Sequence, residues 1–210
     1  MDNNSRSERS QLVVVAASAG GLSALEVLLE PLPSTFPAPL IAVLHLSPDH
    51  RSRMAEILGR FTEMNVKQVQ EGDVLRAGTV YCASPDFHVL VTDERTLRLT
   101  HTAQVQYVRP SADVLFESAA AVYAREVIAV VLSGTGRDGK DGVRAVKEAG
   151  GVILAQDEAS AQHFGMPRAA IETGMVDFVL PLEEVAAKLL ELTHPEHSDE
   201  PSDTNLEETP

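Results

Sequence analysis

The sequence predicts an α/β fold: a mainly parallel, doubly wound sheet with helices on both faces and an antiparallel β-hairpin insertion. Three observations predict it. Short apolar runs such as Leu12–Ala17 and Val127–Leu132 read as strands buried on both faces. Segments with helical apolar spacing follow most of them. Midway along the chain the pattern changes to short strand-like segments in close succession.

Leu12–Ala17 is the first strand, and a helix from Gly21 to Leu29 follows, with Leu22, Leu25, Leu28, Leu29 and Leu32 on one stripe. The segment PLPSTFPAP breaks the chain before a strand at Leu40–His45, and a second helix is expected over Arg51–Phe61. Val66–Val69, Thr79–Ala83, His88–Thr92 and Thr96–Thr100 read as strands. The last two are joined by Asp93-Glu94-Arg95 into the hairpin. Beyond it come a helix Ala112–Tyr123, a strand Val127–Leu132, a helix Lys140–Ala149 and a strand Gly151–Ala155. Pro167–Thr173 reads as helix, Val176–Leu180 as strand and Leu182–Leu192 as a last amphipathic helix.

At 210 residues the chain can bury a sizeable core without a metal or disulfide staple. Residues 12–193 are expected to form the folded domain, residues 1–11 a disordered N-terminus and residues 194–210 an acidic disordered tail or linker. The net charge is −14, which argues against binding a nucleic-acid backbone. A single cysteine, Cys82, permits no intramolecular disulfide and suits a reducing compartment. The opening MDNNSRSERS lacks the apolar stretch of a secretory signal, and no apolar run is long enough for membrane insertion. The expected location is the cytoplasm.

In open parallel sheets, ligands gather beyond the carboxyl ends of the strands, where strand order reverses. After the first strand stands Ser18-Ala19-Gly20-Gly21; His45 ends the second; Ser133-Gly134-Thr135-Gly136-Arg137-Asp138-Gly139 follows Val127–Leu132. A hydroxyl, an imidazole and a carboxylate thus stand at three strand ends, which permits a nucleophile–base–orienter triad of Ser18, His45 and Asp138. Each also has a structural reading: Ser18 as a helix N-cap, His45 as a half-buried histidine, Asp138 as a turn former. His50, His88, His101 and His163 compete with His45 as the base. Gly20 and Gly21 would let the backbone turn sharply and point the free N–H groups of the next helix at whatever lies beside Ser18.

A phosphate- or nucleotide-binding module is the main rival. The G-x-G-x-x-G fingerprint is absent, but Gly134-x4-Gly139-Lys140 follows a strand and opens a helix as a phosphate loop does. Asp141 stands where a hydroxyl should hold magnesium, and Asp138 would add a charge that repels phosphate. No Cys/His cluster has zinc spacing.

Six blocks carry a resemblance: ASAGG (Ala17–Gly21), LHLSP (Leu44–Pro48), RPSADVLF (Arg109–Phe116), VLSGTGRDG (Val131–Gly139), AQDEAS (Ala155–Ser160) and FGMPRAA (Phe164–Ala170). In that order, between Leu12 and Leu192, they resemble the catalytic domain of the chemotaxis protein-glutamate methylesterases, the CheB family. The resemblance implies hydrolysis of glutamyl methyl esters on methylated chemoreceptor helices, and deamidation of receptor glutamines at the same serine. It puts the nucleophile at Ser18, the general base at His45 and the orienting carboxylate at Asp138, with no metal or organic cofactor. Arg109 and Met166-Pro167 also fall in family motifs, where Arg109 serves to place an acidic substrate surface and Met166-Pro167 to shape the cleft, or both serve packing. Two positions depart: Ala16 stands where the family commonly has Gly, and Thr135 where many members have Met. Many members carry a receiver domain ahead of the esterase, and the eleven residues before Leu12 cannot form one. The expectation is therefore an ungated enzyme, one controlled by a regulatory partner, or one joined to a fused domain. A non-catalytic signalling module on the same fold is the remaining alternative.

Overall fold

The computed structural model describes residues 11–45 and 52–193. The expectations for the N-terminus and the acidic tail, for His50 as a base and for a helix start at Arg51 lie outside the described residues.

Seven parallel strands form the main sheet: β1 (Leu12–Ala17), β2 (Leu40–Leu44), β3 (Asn65–Gln68), β4 (Thr79–Cys82), β7 (Val127–Val131), β8 (Val152–Gln156) and β9 (Phe178–Leu180). Their order is β3-β4-β2-β1-β7-β8-β9. Between β4 and β7, β5 (His88–Val91) and β6 (Leu97–Thr100) make a separate antiparallel pair, the expected hairpin. The expected strands Val66–Val69 and Thr79–Ala83 join the parallel sheet as its far edge.

β1 is buried along its whole length, and its side chains alternate between two apolar layers. Val13, Val15 and Ala17 face the layer containing residues of α1 (Gly21–Leu29), α2 (Met54–Leu58) and α6 (Leu182–Thr193). Leu12, Val14 and Ala16 face the layer built by α3 (Ala112–Tyr123), α4 (Lys140–Glu148), α5 (Gly165–Ile171) and the hairpin. With both faces covered, each buried Val or Leu contributes roughly 1.5–3 kcal/mol, so this central strand is the rigid part of the scaffold. The register is parallel and in step: Ala17 pairs with Leu44 on β2, and Ala16 with Val131 on β7.

Two helices differ from expectation. The second is confined to Met54–Leu58, because Gly59 takes its C-cap position and the polar chain beyond it gives no further apolar stripe. The helix expected to start at Pro167 starts at Gly165 instead. Proline is tolerated in a first turn, where its missing N–H has no intrahelical partner, so Pro167 sits inside the helix rather than opening it.

Candidate active site

β1 leads through α1 to β2 on one side, while β7 lies on its other side, so strand order reverses between β1 and β7. Extending the register one step past Ala17 and Leu44 makes Ser18 and His45 neighbours, and one step past Ala17 and Leu132 makes Ser18 and Ser133 neighbours. Backbone bonds carry the pairing that far: His45 N–H donates to Ala17 O at 3.2 Å and Ser18 N–H to Ser133 O at 3.0 Å. By strand alternation all three lie on the face covered by α3 and α4.

The loop after β7 brings Asp138 to that face. His45 Nε2 lies 2.7 Å from Asp138 Oδ2, with the imidazole side chain 11 % and the carboxylate 4 % exposed. A carboxylate only accepts, so Nε2 carries the proton and donates, which leaves Nδ1 as the basic nitrogen. His45 and Asp138, 93 positions apart, are therefore joined. Ser18 lies on the adjoining strand end, but no hydrogen bond links its hydroxyl to His45 among the described residues.

Asp138 also faces the N-terminus of α3. Ser111 Oγ donates to Oδ1 at 2.6 Å, Ala112 N–H to Oδ2 at 2.5 Å and Asp113 N–H to Oδ1 at 3.2 Å. Burial pushes the Asp138 carboxyl up, but the hydrogen bonds from His45, Ser111 and the Ala112 N–H outweigh it and hold it below the ordinary carboxylate range. It is thus an anion at neutral pH, which is the state that can orient an imidazole.

The turn after β1 is built for close packing. Gly20 has φ 73° and its side would meet Gln162 and Ser133, while a Cβ at Gly21 would lie 2.6 Å from Ala17 Cβ and 2.8 Å from Leu44 Cδ1. Ser133 holds the turn in place, its Oγ donating to Ala19 O at 2.8 Å and accepting His163 N–H at 3.0 Å. Gly134 lets Met166 and Ser18 approach, since any side chain there would collide with both. No side chain caps α1, so the Ser18 hydroxyl is not engaged as an N-cap.

The rival bases separate cleanly. His88 is fully buried with both nitrogens committed: Nδ1 accepts the Ser111 N–H at 3.1 Å and Nε2 donates to Ala103 O at 3.1 Å. His101 pairs with Asp86 at the surface at 2.9 Å. His163 is exposed. Cys82 is buried, which pushes its thiol up to about 12 and keeps it protonated. Arg109 is engaged internally, with Nε 3.0 Å and Nη2 2.5 Å from Asp86 Oδ1 and Nη1 2.5 Å from Thr102 O, so its guanidinium is held by the chain's own groups. Three residues that shape the site, Ser111, Ser133 and Asp113, are not among the candidates that sequence reasoning selects, and His88 entered only as a rival base. The signal available in the sequence was block membership: Ser111 and Asp113 lie in RPSADVLF and Ser133 in VLSGTGRDG.

The CheB methylesterase family model matches residues 13–189. A protein-glutamate methylesterase/protein-glutamine glutaminase 2 of Anaeromyxobacter dehalogenans is 45% identical over 188 residues, covering 90% of this chain and 55% of that protein. A putative enzyme of the same name from Leptospira interrogans is 36% identical over 182 residues, covering 87% of this chain and 94% of the relative. The chain thus spans about half the length of some curated relatives and nearly all of others. The crystal structure of the Thermotoga maritima CheB methylesterase catalytic domain superposes with a TM-score of 0.85 at 35% identity, covering 87% of this chain and 98% of that domain. The chain belongs to the CheB methylesterase family of carboxylic ester hydrolases.

Proposed function

We propose that this chain is a protein-glutamate methylesterase that hydrolyses glutamyl methyl esters on the cytoplasmic helices of methylated chemoreceptors, with Ser18 as nucleophile, His45 as general base and Asp138 as its orienting carboxylate. The observation that carries this reading is the 2.7 Å bond between His45 and an anionic Asp138 at the strand end next to Ser18. The names of the relatives, protein-glutamate methylesterase/protein-glutamine glutaminase, support the substrate class.

In the proposed reaction Ser18 Oγ attacks the ester carbonyl while His45 Nδ1 takes its proton. Catalytic hydrogen bonds often tighten only when substrate is bound, and the Ser18–His45 bond of this step would form there. The oxyanion accepts from the N–H groups of Ala19 and Gly20, neither of which donates to a described residue. Collapse of the intermediate breaks the C–O bond, His45 returns the proton, and methanol leaves. Water activated by His45 then opens the acyl-enzyme, releasing a glutamate side chain and restoring Ser18. The same steps on a glutamine side chain would release ammonia.

A serine-directed phosphonate followed by peptide mapping tests the assignment. One adduct at Ser18, absent from Ser18→Ala, together with loss of methanol release in that variant, is the expected result. Full activity of Ser18→Ala, or no adduct, would reject the reading and favour a non-catalytic signalling module.

A further inference from the structure

We propose that Ser111 is a positioning residue of this site: its hydroxyl fixes Asp138 toward His45, and His88 in turn fixes Ser111. The inference rests on the reading of Asp138 as the orienting carboxylate.

Ser111 occupies the N-cap position of α3, yet its hydroxyl makes no capping bond to its own helix. The first N–H groups of α3, those of Ala112 and Asp113, go to the Asp138 carboxylate, so that carboxylate does the capping. Ser111 Oγ is therefore free to act as a donor, and it points into the same carboxylate at 2.6 Å. Each Asp138 oxygen then has two donors: His45 and Ala112 on Oδ2, Ser111 and Asp113 on Oδ1. The carboxylate cannot swing without losing bonds on both oxygens. Without the Ser111 hydroxyl, Oδ1 would keep only the 3.2 Å bond from Asp113 N–H.

Ser111 is held in turn. Its N–H donates to Nδ1 of His88, and that imidazole is anchored through Nε2 to Ala103 O. Ser111 and His88 are both completely buried, so no water competes for these bonds. The other charged groups facing Asp138 are His45 and the carboxylate of Asp113, with Asp141 behind it on α4. Removing the hydroxyl takes a positive dipole end away from Asp138. The Asp138 carboxyl is then less firmly held below its ordinary range, which moves the acid limb of activity to higher pH.

The test compares full-length wild type, Ser111→Ala, Ser111→Thr and Ser111→Cys on a peptide carrying a γ-glutamyl methyl ester. For Ser111→Ala, kcat should fall roughly tenfold with KM within about twofold, and the acid limb of the kcat profile should rise by about half a pH unit. The hydroxyl of Ser111→Thr should restore most of the rate, and the weak donor of Ser111→Cys should not. If Ser111→Ala fails to fold, the near-isosteric Cys variant supplies the same comparison. An unchanged kcat and acid limb would overturn the proposal, as would a lower melting temperature with kcat per folded molecule intact, which is the signature of a plain helix cap. Activity in Ser18→Ala would bring down the site reading itself; a dead Ser18→Ala beside an unimpaired Ser111→Ala would bring down the positioning role alone.

Discussion

Two glycine-rich turns of this chain share a plan and end in opposite states. Ser18–Gly21 follows β1 and Gly134–Gly139 follows β7, and each enters its helix through a left-handed glycine, Gly20 at φ 73° and Gly139 at φ 95°. At α4 the free N–H groups of Asp141 and Gly142 close on Asp113 Oδ1 at 3.0 and 2.8 Å. A carboxylate of the protein itself fills the place a phosphate would take. At α1 no acidic residue lies in the first turn, and the preceding Ala19 and Gly20 N–H groups donate to no described residue. Both turns have the backbone geometry that attracts an anion, and the tertiary neighbour decides which stays open. The spacing Gly134-x4-Gly139-Lys140 therefore does not favour a phosphate loop, because α3 has already supplied the anion.

The comparison breaks most visibly in catalysis. His45→Gln and Asp138→Asn should each lower kcat on the order of 10³–10⁴-fold while leaving the fold intact. At position 138 an amide would turn one NH₂ toward a cluster of donors that the carboxylate now satisfies. Methanol release from a methylated substrate checks this, and combining either change with Ser18→Ala should add almost nothing. Losses that multiply would mean the three residues do not act as one unit.

Stability sharpens the contrast between the turns. A Cβ at Gly21 would press on Ala17 and Leu44 at 2.6 and 2.8 Å, so Gly21→Ala should cost about 1–3 kcal/mol through overpacking. Gly136, in the other turn, has open space around it and only its φ of 91° to lose, so Gly136→Ala should cost about 1–2 kcal/mol. Urea unfolding midpoints give the order directly. If Gly136→Ala proves the worse of the two, the first turn is less tightly packed than its contacts imply.

What the sequence displayed was set by chain-local physics. Leu12–Ala17 as a doubly buried strand, the hairpin around Asp93–Arg95 and the helix Ala112–Tyr123 all follow from apolar period and turn chemistry, and all are present. The positions of Ser18, His45 and Asp138 at strand ends were legible for the same reason. Their support was not. Ser111, His88 and Asp113 reach the site only because α3 packs its N-terminus over the loop after β7, a contact between residues more than twenty positions apart. No local period encodes it. Arg109 shows the converse: its motif position left a substrate surface and packing both open, and only the fold shows its guanidinium held by Asp86 and Thr102.

A smaller effect comes from the anion that closes the second turn. Burial pushes Asp113 up to about 6, and the charges of Asp138 and Asp141 push the same way against the Gly142 N–H. A carboxyl raised above its unfolded value contributes stability that is complete below that unfolded value and is lost as pH rises through about 6. Asp138, held below its ordinary range, has the opposite slope: its contribution is lost only as pH falls through its folded value. Asp113→Asn keeps an oxygen for the Asp141 and Gly142 N–H groups and removes the charge. It should be more stable than wild type by about 1 kcal/mol above pH 6 and lose that advantage well below it, as read by urea unfolding at both ends. The reverse order would mean that the dipole of α4 governs Asp113 more than burial does.

The smallest expected effect discriminates most sharply between the two readings of Ser18. A serine that caps a helix costs about 1 kcal/mol when cut to alanine. The Ser18 hydroxyl makes no hydrogen bond to a described residue, and α1 has no side-chain cap, so Ser18→Ala should change stability by less than about 0.5 kcal/mol. Ser111→Ala removes a buried donor from a buried anion and should cost about 1–3 kcal/mol. Measured side by side in urea, a near-neutral Ser18→Ala that is inactive marks a hydroxyl kept for chemistry. A loss approaching that of Ser111→Ala would mean that Ser18 holds the turn together, and the open state of the first turn would then need a different cause.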